Sequence, residues 1–146
     1  MKKNFSLKVM TLTAGILSGA PLAGAHSPSE HARVYFIGLE DGAVVTCPFT
    51  LKLGIEGYGI VPAGTKDKRR HTGGHHHVLV DVDGLPDMDA PIPRNAHYIH
   101  LDHGETTVVI DLPPGDHTLQ LLLGDEEHEP LDPPLLSKKI HIRVKE

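Results

Sequence analysis

The sequence contains no tryptophan, a single cysteine and only 4% aromatic residues in 146. One cysteine, Cys47, cannot close an internal disulfide or build a thiolate zinc site, so the fold must stand on its packing alone. Cys47 is expected as a small core residue in a strand, in preference to a soft metal ligand or an intermolecular bridge. No apolar repeat of helical period runs for more than a few residues, and no amphipathic stretch would seek a membrane surface. There is no glycine-rich phosphate loop joining a strand to a helix and no nucleophile elbow, which sets aside nucleotide and hydrolase chemistry. Basic residues are the minority, 14 Lys and Arg against 19 Asp and Glu for a net charge of −5, so nucleic acid is not an expected partner.

The first residues have a distinct order. Lys2, Lys3 and Lys8 lead into an apolar stretch from Val9 to Leu22, which ends on Ala23-Gly24-Ala25. Charged, then apolar, then small is the order of a signal peptide, and residues 1–25 are expected to be cleaved. Gly15, Gly19 and Pro21 interrupt the stretch, which is too short for the roughly 20 residues a membrane span requires. With Cys47 the only cysteine, no acyl attachment site follows the cleavage point, so the mature form is expected to lack a membrane anchor and to be periplasmic or secreted. Cleavage removes three lysines and no acid, moving the charge from −5 to −8. Residues 26–31 then read as a flexible tail and residues 32–146 as one domain.

With 12 prolines and 15 glycines, the rest reads as short strands between turns. Ala32 to Ile37 is strand-like, and Glu40-Asp41-Gly42 is a turn. Phe49, Leu51, Leu53 and Ile55 alternate with Thr50, Lys52, Gly54 and Glu56, which puts one face of that strand in a core. Gly57 to Gly74 reads as a loop. Val78, Val80 and Val82 form the next inward set, followed by a loop from Asp83 to Ala96, strands near His97 to Leu101 and Glu105 to Leu112, and a turn at Pro113-Pro114-Gly115-Asp116. Thr106, Val108, Ile110 and Leu112 share one parity, Leu119, Leu121 and Leu123 another, and Ile140, Ile142 and Val144 a third beyond a proline-rich loop from Gly124 to Leu136. The expected fold is all-β, an immunoglobulin-like two-sheet sandwich of about seven strands, with a small β-barrel as the alternative.

Twelve histidines stand out in a chain this size, and the question is which of them converge. His75 and His77 lie on one face of their strand, opposite Val78, Val80 and Val82, with Cβ atoms about 6–7 Å apart. Two imidazoles at that spacing can share one ion at the roughly 2 Å bond lengths of zinc or copper. His76 points the other way and reads equally as a core histidine with one hydrogen bond satisfied. Of His97, His100 and His103, His97 shares an inward parity with Ile99 and Leu101, while His100 joins Tyr98 and Asp102 on the other side and becomes the preferred third ligand. His128, in Gly124-Asp125-Glu126-Glu127-His128-Glu129, is a fourth, with Asp125 able to orient an imidazole from behind. His76, His117, His97 and His103 are secondary candidates. His117 is expected to cap the core, His31, His71 and His141 to be solvated, and His26 to be the new N-terminus, where amine and ring together can grip copper. Paired acids such as Asp81 and Asp83 read as solvent-facing charge.

Several segments together resemble the domain of unknown function 4399 family of small exported bacterial proteins. They are Val34-Tyr35-Phe36-Ile37 with Asp41-Gly42, Pro62-Ala63-Gly64, Gly74-His75-His76-His77 with Asp81, Pro91-Ile92-Pro93, His100 ahead of Gly104-Glu105-Thr106, Pro114-Gly115-Asp116-His117-Thr118-Leu119-Gln120-Leu121, Gly124-Asp125 with His128, and Pro133-Pro134 ahead of Ser137. The resemblance implies an exported single β-domain and marks His75, His76, His77, His100, His117, Asp125 and His128 as motif positions. It implies no reaction. Two positions depart from the pattern, Glu105 where it has Gln and His103 where it has a small residue.

Three functions are compatible with these residues. The first is a metal-binding or metal-handling protein for copper(II) or zinc. Imidazole suits those ions, and Met88, the one methionine beyond residue 25, argues against a thioether copper(I) carrier. The second is a metal-free binding module in which histidines give hydrogen bonds or a pH response. The third is a small copper metalloenzyme, ranked last because no catalytic acid, base or cleft can be named. The sequence points to no protein partner.

Overall fold

The computed structural model describes residues 28–66 and 73–146; residues 1–25, expected as a signal peptide, and His26 and His71 lie outside them. The described residues form nine strands and no helix. In chain order these are β1 (Arg33–Phe36), β2 (Ala43–Thr46), β3 (Phe49–Glu56), β4 (Gly59–Ile60), β5 (Gly73–Val80), β6 (Tyr98–His100), β7 (Thr107–Ile110), β8 (Gly115–Gly124) and β9 (Ile140–Lys145). They make an immunoglobulin-like two-sheet sandwich. One sheet has the order β1-β3-β7, and the other has β2-β9-β8-β5-β4 with β6 also paired to β5. No helix among the described residues is long and apolar enough to cross a membrane.

Alternation dictates which faces meet. Along β9 buried Ile140, Ile142 and Val144 alternate with exposed His141, Arg143 and Lys145, the period of a strand with one face on a core. Leu51 and Leu53 of β3, Val78 and Val80 of β5, and Leu119, Leu121 and Leu123 of β8 join them between the sheets. Deleting one such side chain removes apolar burial and leaves a void the neighbours only partly fill.

Several boundaries differ from expectation. There are nine strands and not seven, because Ala43–Thr46 pairs in parallel with β9 and Gly59–Ile60 pairs in parallel with the start of β5. Two-residue β4 is too short to carry an alternation signal. Cys47 packs half-buried against the core as expected, but in the bend after β2 and not in a strand, and its Sγ accepts a 3.3 Å hydrogen bond from Leu112 N. Thr106 is exposed, since β7 begins one residue later. Val82 leaves the set of Val78 and Val80 because Asp81 takes φ 53° and breaks the parity, sending Val82 to a second apolar cluster around Leu79, Ile92 and Leu122.

That second cluster positions the site. It covers the outer face of β5, where the sandwich would otherwise meet water, and β5 is buried along its whole length on both faces. Strand β5 has neighbours on both edges, β8 on one and β4 and β6 on the other. Gly73 and Gly74 let the chains approach closely there: a Cβ on Gly74 would lie 2.4 Å from Gly124 O, and one on Gly73 would lie 2.9 Å from Gly59 O.

Candidate metal centre

Four of the twelve histidines converge above the outer face of β5. His75 and His77 project from the same side of the strand, and their ring centroids are 4.6 Å apart. His100, directly opposite His77 in the antiparallel register of β5 and β6, brings its ring to 4.3 Å from that of His77. His128 arrives from the loop after β8, at 4.8 Å from His75 and 5.3 Å from His100. His75, His77 and His128 each offer a ring nitrogen within 4.8 Å of the others, and so do His100 and His128 together with Asp102.

The ring environments are polar groups without partners. His75 and His77 are fully buried, and neither ring nitrogen of either one has a hydrogen bond. Leaving a buried polar group unsatisfied costs about 1–3 kcal/mol, so four such nitrogens side by side call for something that binds them. Burial, reinforced by neighbouring histidines, pushes the pKa of His75 down to about 4 and that of His77 down to about 2. At neutral pH both rings are therefore uncharged and carry a free lone pair, the form in which imidazole ligates a metal. His100 is lowered as well, mainly by burial.

A strap from Pro91 to Arg94 organises the remaining groups. Ile92 is buried in the second apolar cluster, and its N–H donates to the carbonyl of His128 at 2.7 Å. The Pro93 carbonyl accepts a 2.8 Å hydrogen bond from His100 Nε2, which fixes the tautomer and leaves His100 Nδ1 bare and buried, 3.6 Å from Asp102 Oδ1. Arg94 Nη2 donates to both carboxylate oxygens of Asp102, at 3.0 and 2.9 Å. His128 Nε2 in turn lies 3.1 Å from Asp102 Oδ1. Burial raises the Asp102 pKa, but the bonds from His128 and Arg94 outweigh it and hold the carboxyl at about 2.

Loop geometry aims His128. Asp125 Oδ1 accepts from Glu127 N at 2.8 Å and Glu129 N at 2.9 Å, and Asp125 N donates to Glu129 O. These bonds hold His128 at φ 67°, a left-handed conformation uncommon outside glycine. Asp125 is the residue expected to orient an imidazole from behind, and these bonds act through the backbone of the loop that carries His128. Gly124 supplies the space: a Cβ there would sit 2.6 Å from His77 Cε1 and 3.0 Å from Ile92 Cδ1.

The secondary candidates lie elsewhere. His76 is fully buried on the core side, with both ring nitrogens unpartnered and not, as expected, with one bond satisfied. His97 is exposed and not inward-facing, because its Nδ1 donates to the Val80 carbonyl at 2.8 Å beside the end of β5. His103 is exposed in the turn after β6. His117 is half-buried, bonded through Nδ1 to Asp81 Oδ2 at 2.7 Å and through Nε2 to the Pro113 carbonyl at 2.9 Å. Both partners are acceptors, and their bonds outweigh burial and raise the pKa of the ring, which favours its protonated form. Residue-by-residue reading missed Asp102, Arg94 and the Pro93 carbonyl as members of the site. The Pro91-Ile92-Pro93 motif was the one signal that pointed there.

No curated protein and no solved structure matches the chain. The model of one family, described as domain of unknown function (DUF4399), matches residues 51–145. That span takes in β3 from Leu51 onward and all of β4 to β9, with every histidine of the cluster, the strap and the Asp125 loop. The resemblance seen at Val34 to Ile37 and at Asp41-Gly42 precedes the matched span. This chain therefore belongs to the domain of unknown function 4399 family.

Proposed function

We infer that this protein is an exported, periplasmic metal-binding protein that holds one divalent ion, copper(II) or zinc, on His75, His77, His100 and His128. The observation that carries the reading is the set of five buried ring nitrogens without hydrogen bonds on His75, His77 and His100, whose rings stand beside one another. Imidazole nitrogens with free lone pairs in a preformed, water-poor site are what zinc and copper(II) bind, and a rigid strand carrying two of them limits the entropy lost on binding. The Pro93 carbonyl behind His100 is the outer hydrogen bond that a ligating imidazole uses. The charged, apolar, small-residue order of residues 1–25 supports export.

The test is calorimetric titration of copper(II) and zinc into tag-free protein beginning at His26, with thermal melts, on the parent and on His77→Ala and His100→Ala. One ion per chain should bind, raise the melting temperature, and be lost in both variants. Binding no tighter than that of surface histidines, or variants that bind as the parent does, would replace this reading with a metal-free binding module.

A further inference from the structure

Asp102 lies two residues beyond β6, and its carboxylate stands beside His100 and His128. Oδ1 is 3.1 Å from His128 Nε2 and 3.6 Å from His100 Nδ1. The second distance is too long for a hydrogen bond. Because His100 Nε2 gives its proton to the Pro93 carbonyl, Nδ1 of the neutral ring is a lone pair, and it points at a carboxylate oxygen. Two acceptors facing one another across 3.6 Å repel unless a cation lies between them. Two ligand atoms that share a five-coordinate ion at bond lengths of about 2.0–2.1 Å stand about 2.9–3.6 Å apart, and the two Asp102 distances fall in that range.

The charges add a second argument. Ligating imidazoles are neutral, whereas Asp102 brings a formal negative charge against His100 and His128, and Arg94 now balances it. The attraction between a carboxylate and an ion scales with the charge of the ion, whereas nitrogen lone pairs serve a soft monovalent ion nearly as well. Exposure sets the direction of approach. The His100 side chain is 3% exposed, against 25% for His128, 31% for Asp102 and 59% for Arg94, so an ion enters past the Arg94–Asp102 pair.

Resting on the metal-site reading above, we propose that Asp102 binds the same ion through Oδ1, and that this carboxylate makes the site prefer divalent over monovalent soft cations while Arg94 competes with the ion for it. The experiment compares zinc(II) and silver(I) affinities by calorimetry in a Cys47→Ser background, which removes the one thiol that would capture silver. Asp102→Asn should weaken zinc binding by about tenfold or more and silver binding by less than about threefold. Arg94→Gln, whose guanidinium also lies 3.3 Å from His128 Nε2, should tighten zinc binding by a larger factor than silver binding, an opposite sign to Asp102→Asn that a merely structural carboxylate would not produce. Equal losses for both ions in Asp102→Asn, or weaker zinc binding in Arg94→Gln, would overturn the role of Asp102 and leave the four-histidine site standing. A parent that binds neither ion would overturn the site itself.

Discussion

Acidification from pH 7 toward pH 4 should unfold the metal-free protein before most of its carboxylates titrate. Burial holds His75 and His76 neutral by pushing their pKa down to about 4, and it pushes His77 to about 2. In the unfolded chain each takes up a proton near the reference value of about 6.5. Above that pH both states are neutral and the stability is complete; below it, the unfolded chain binds protons that the fold refuses, and stability falls as the pH drops toward the folded value. Moving one histidine from about 6.5 to about 4 costs about 3 kcal/mol by pH 4 at 1.36 kcal/mol per decade. The buried cluster as a whole costs more, against the 5–15 kcal/mol that a domain commonly has. Urea titrations followed by circular dichroism, with chelator present, should show a midpoint that falls continuously between about pH 6.5 and about pH 4.5. His76→Leu, on the face away from the site, should make that fall shallower. A midpoint independent of pH across this window would refute the reasoning, because the rings would then be protonated and solvated in the fold.

Three further outcomes are expected. Leu121→Ala, at a side chain with no exposed surface between the sheets, should cost about 2–5 kcal/mol in denaturant titration, and a change near zero would reverse the assigned faces of β8. Gly124→Ala should weaken zinc binding at least as much as His100→Ala weakens it, because its Cβ would fall 2.6 Å from the His77 ring; unchanged affinity in calorimetry would show that His77 is not a ligand. Burial lowers the pKa of His117, but the bonds to Asp81 and Pro113 outweigh it and raise it. Its stabilising effect is therefore full below about pH 6.5 and lost as the pH rises through the folded value, the reverse of the buried cluster, and an NMR titration of its ring in Asp81→Asn should show the pKa falling back.

Much of this arrangement was legible from period-two arithmetic. The alternation of Ile140, Ile142 and Val144 or of Leu119, Leu121 and Leu123 needs no tertiary information, because the side-chain period of a strand is fixed by its backbone. The same arithmetic put His75 and His77 on one face and His100 on the side away from Leu101, and the structure brings these three together with His128. It failed where the backbone leaves the strand: Asp81 at φ 53° redirects Val82, and the bend before β6 leaves His97 outside. Asp102 and Arg94 were not legible as a pair, since eight residues separate them and their meeting depends on the strap that Ile92 anchors across β8. Nor was the cover over the outer face of β5, because it is built from single apolar residues such as Ile92 and Leu122, which show no periodic signal.

The most direct measurement is a crystal structure of tag-free protein grown with zinc(II), with anomalous diffraction collected at the zinc edge. One peak per chain is expected, at about 2.0–2.2 Å from nitrogens of His75 and His77, with His100, His128 and Asp102 completing the shell. Peaks confined to exposed histidines such as His97, His103 or His141, with none among the buried rings, would contradict the account.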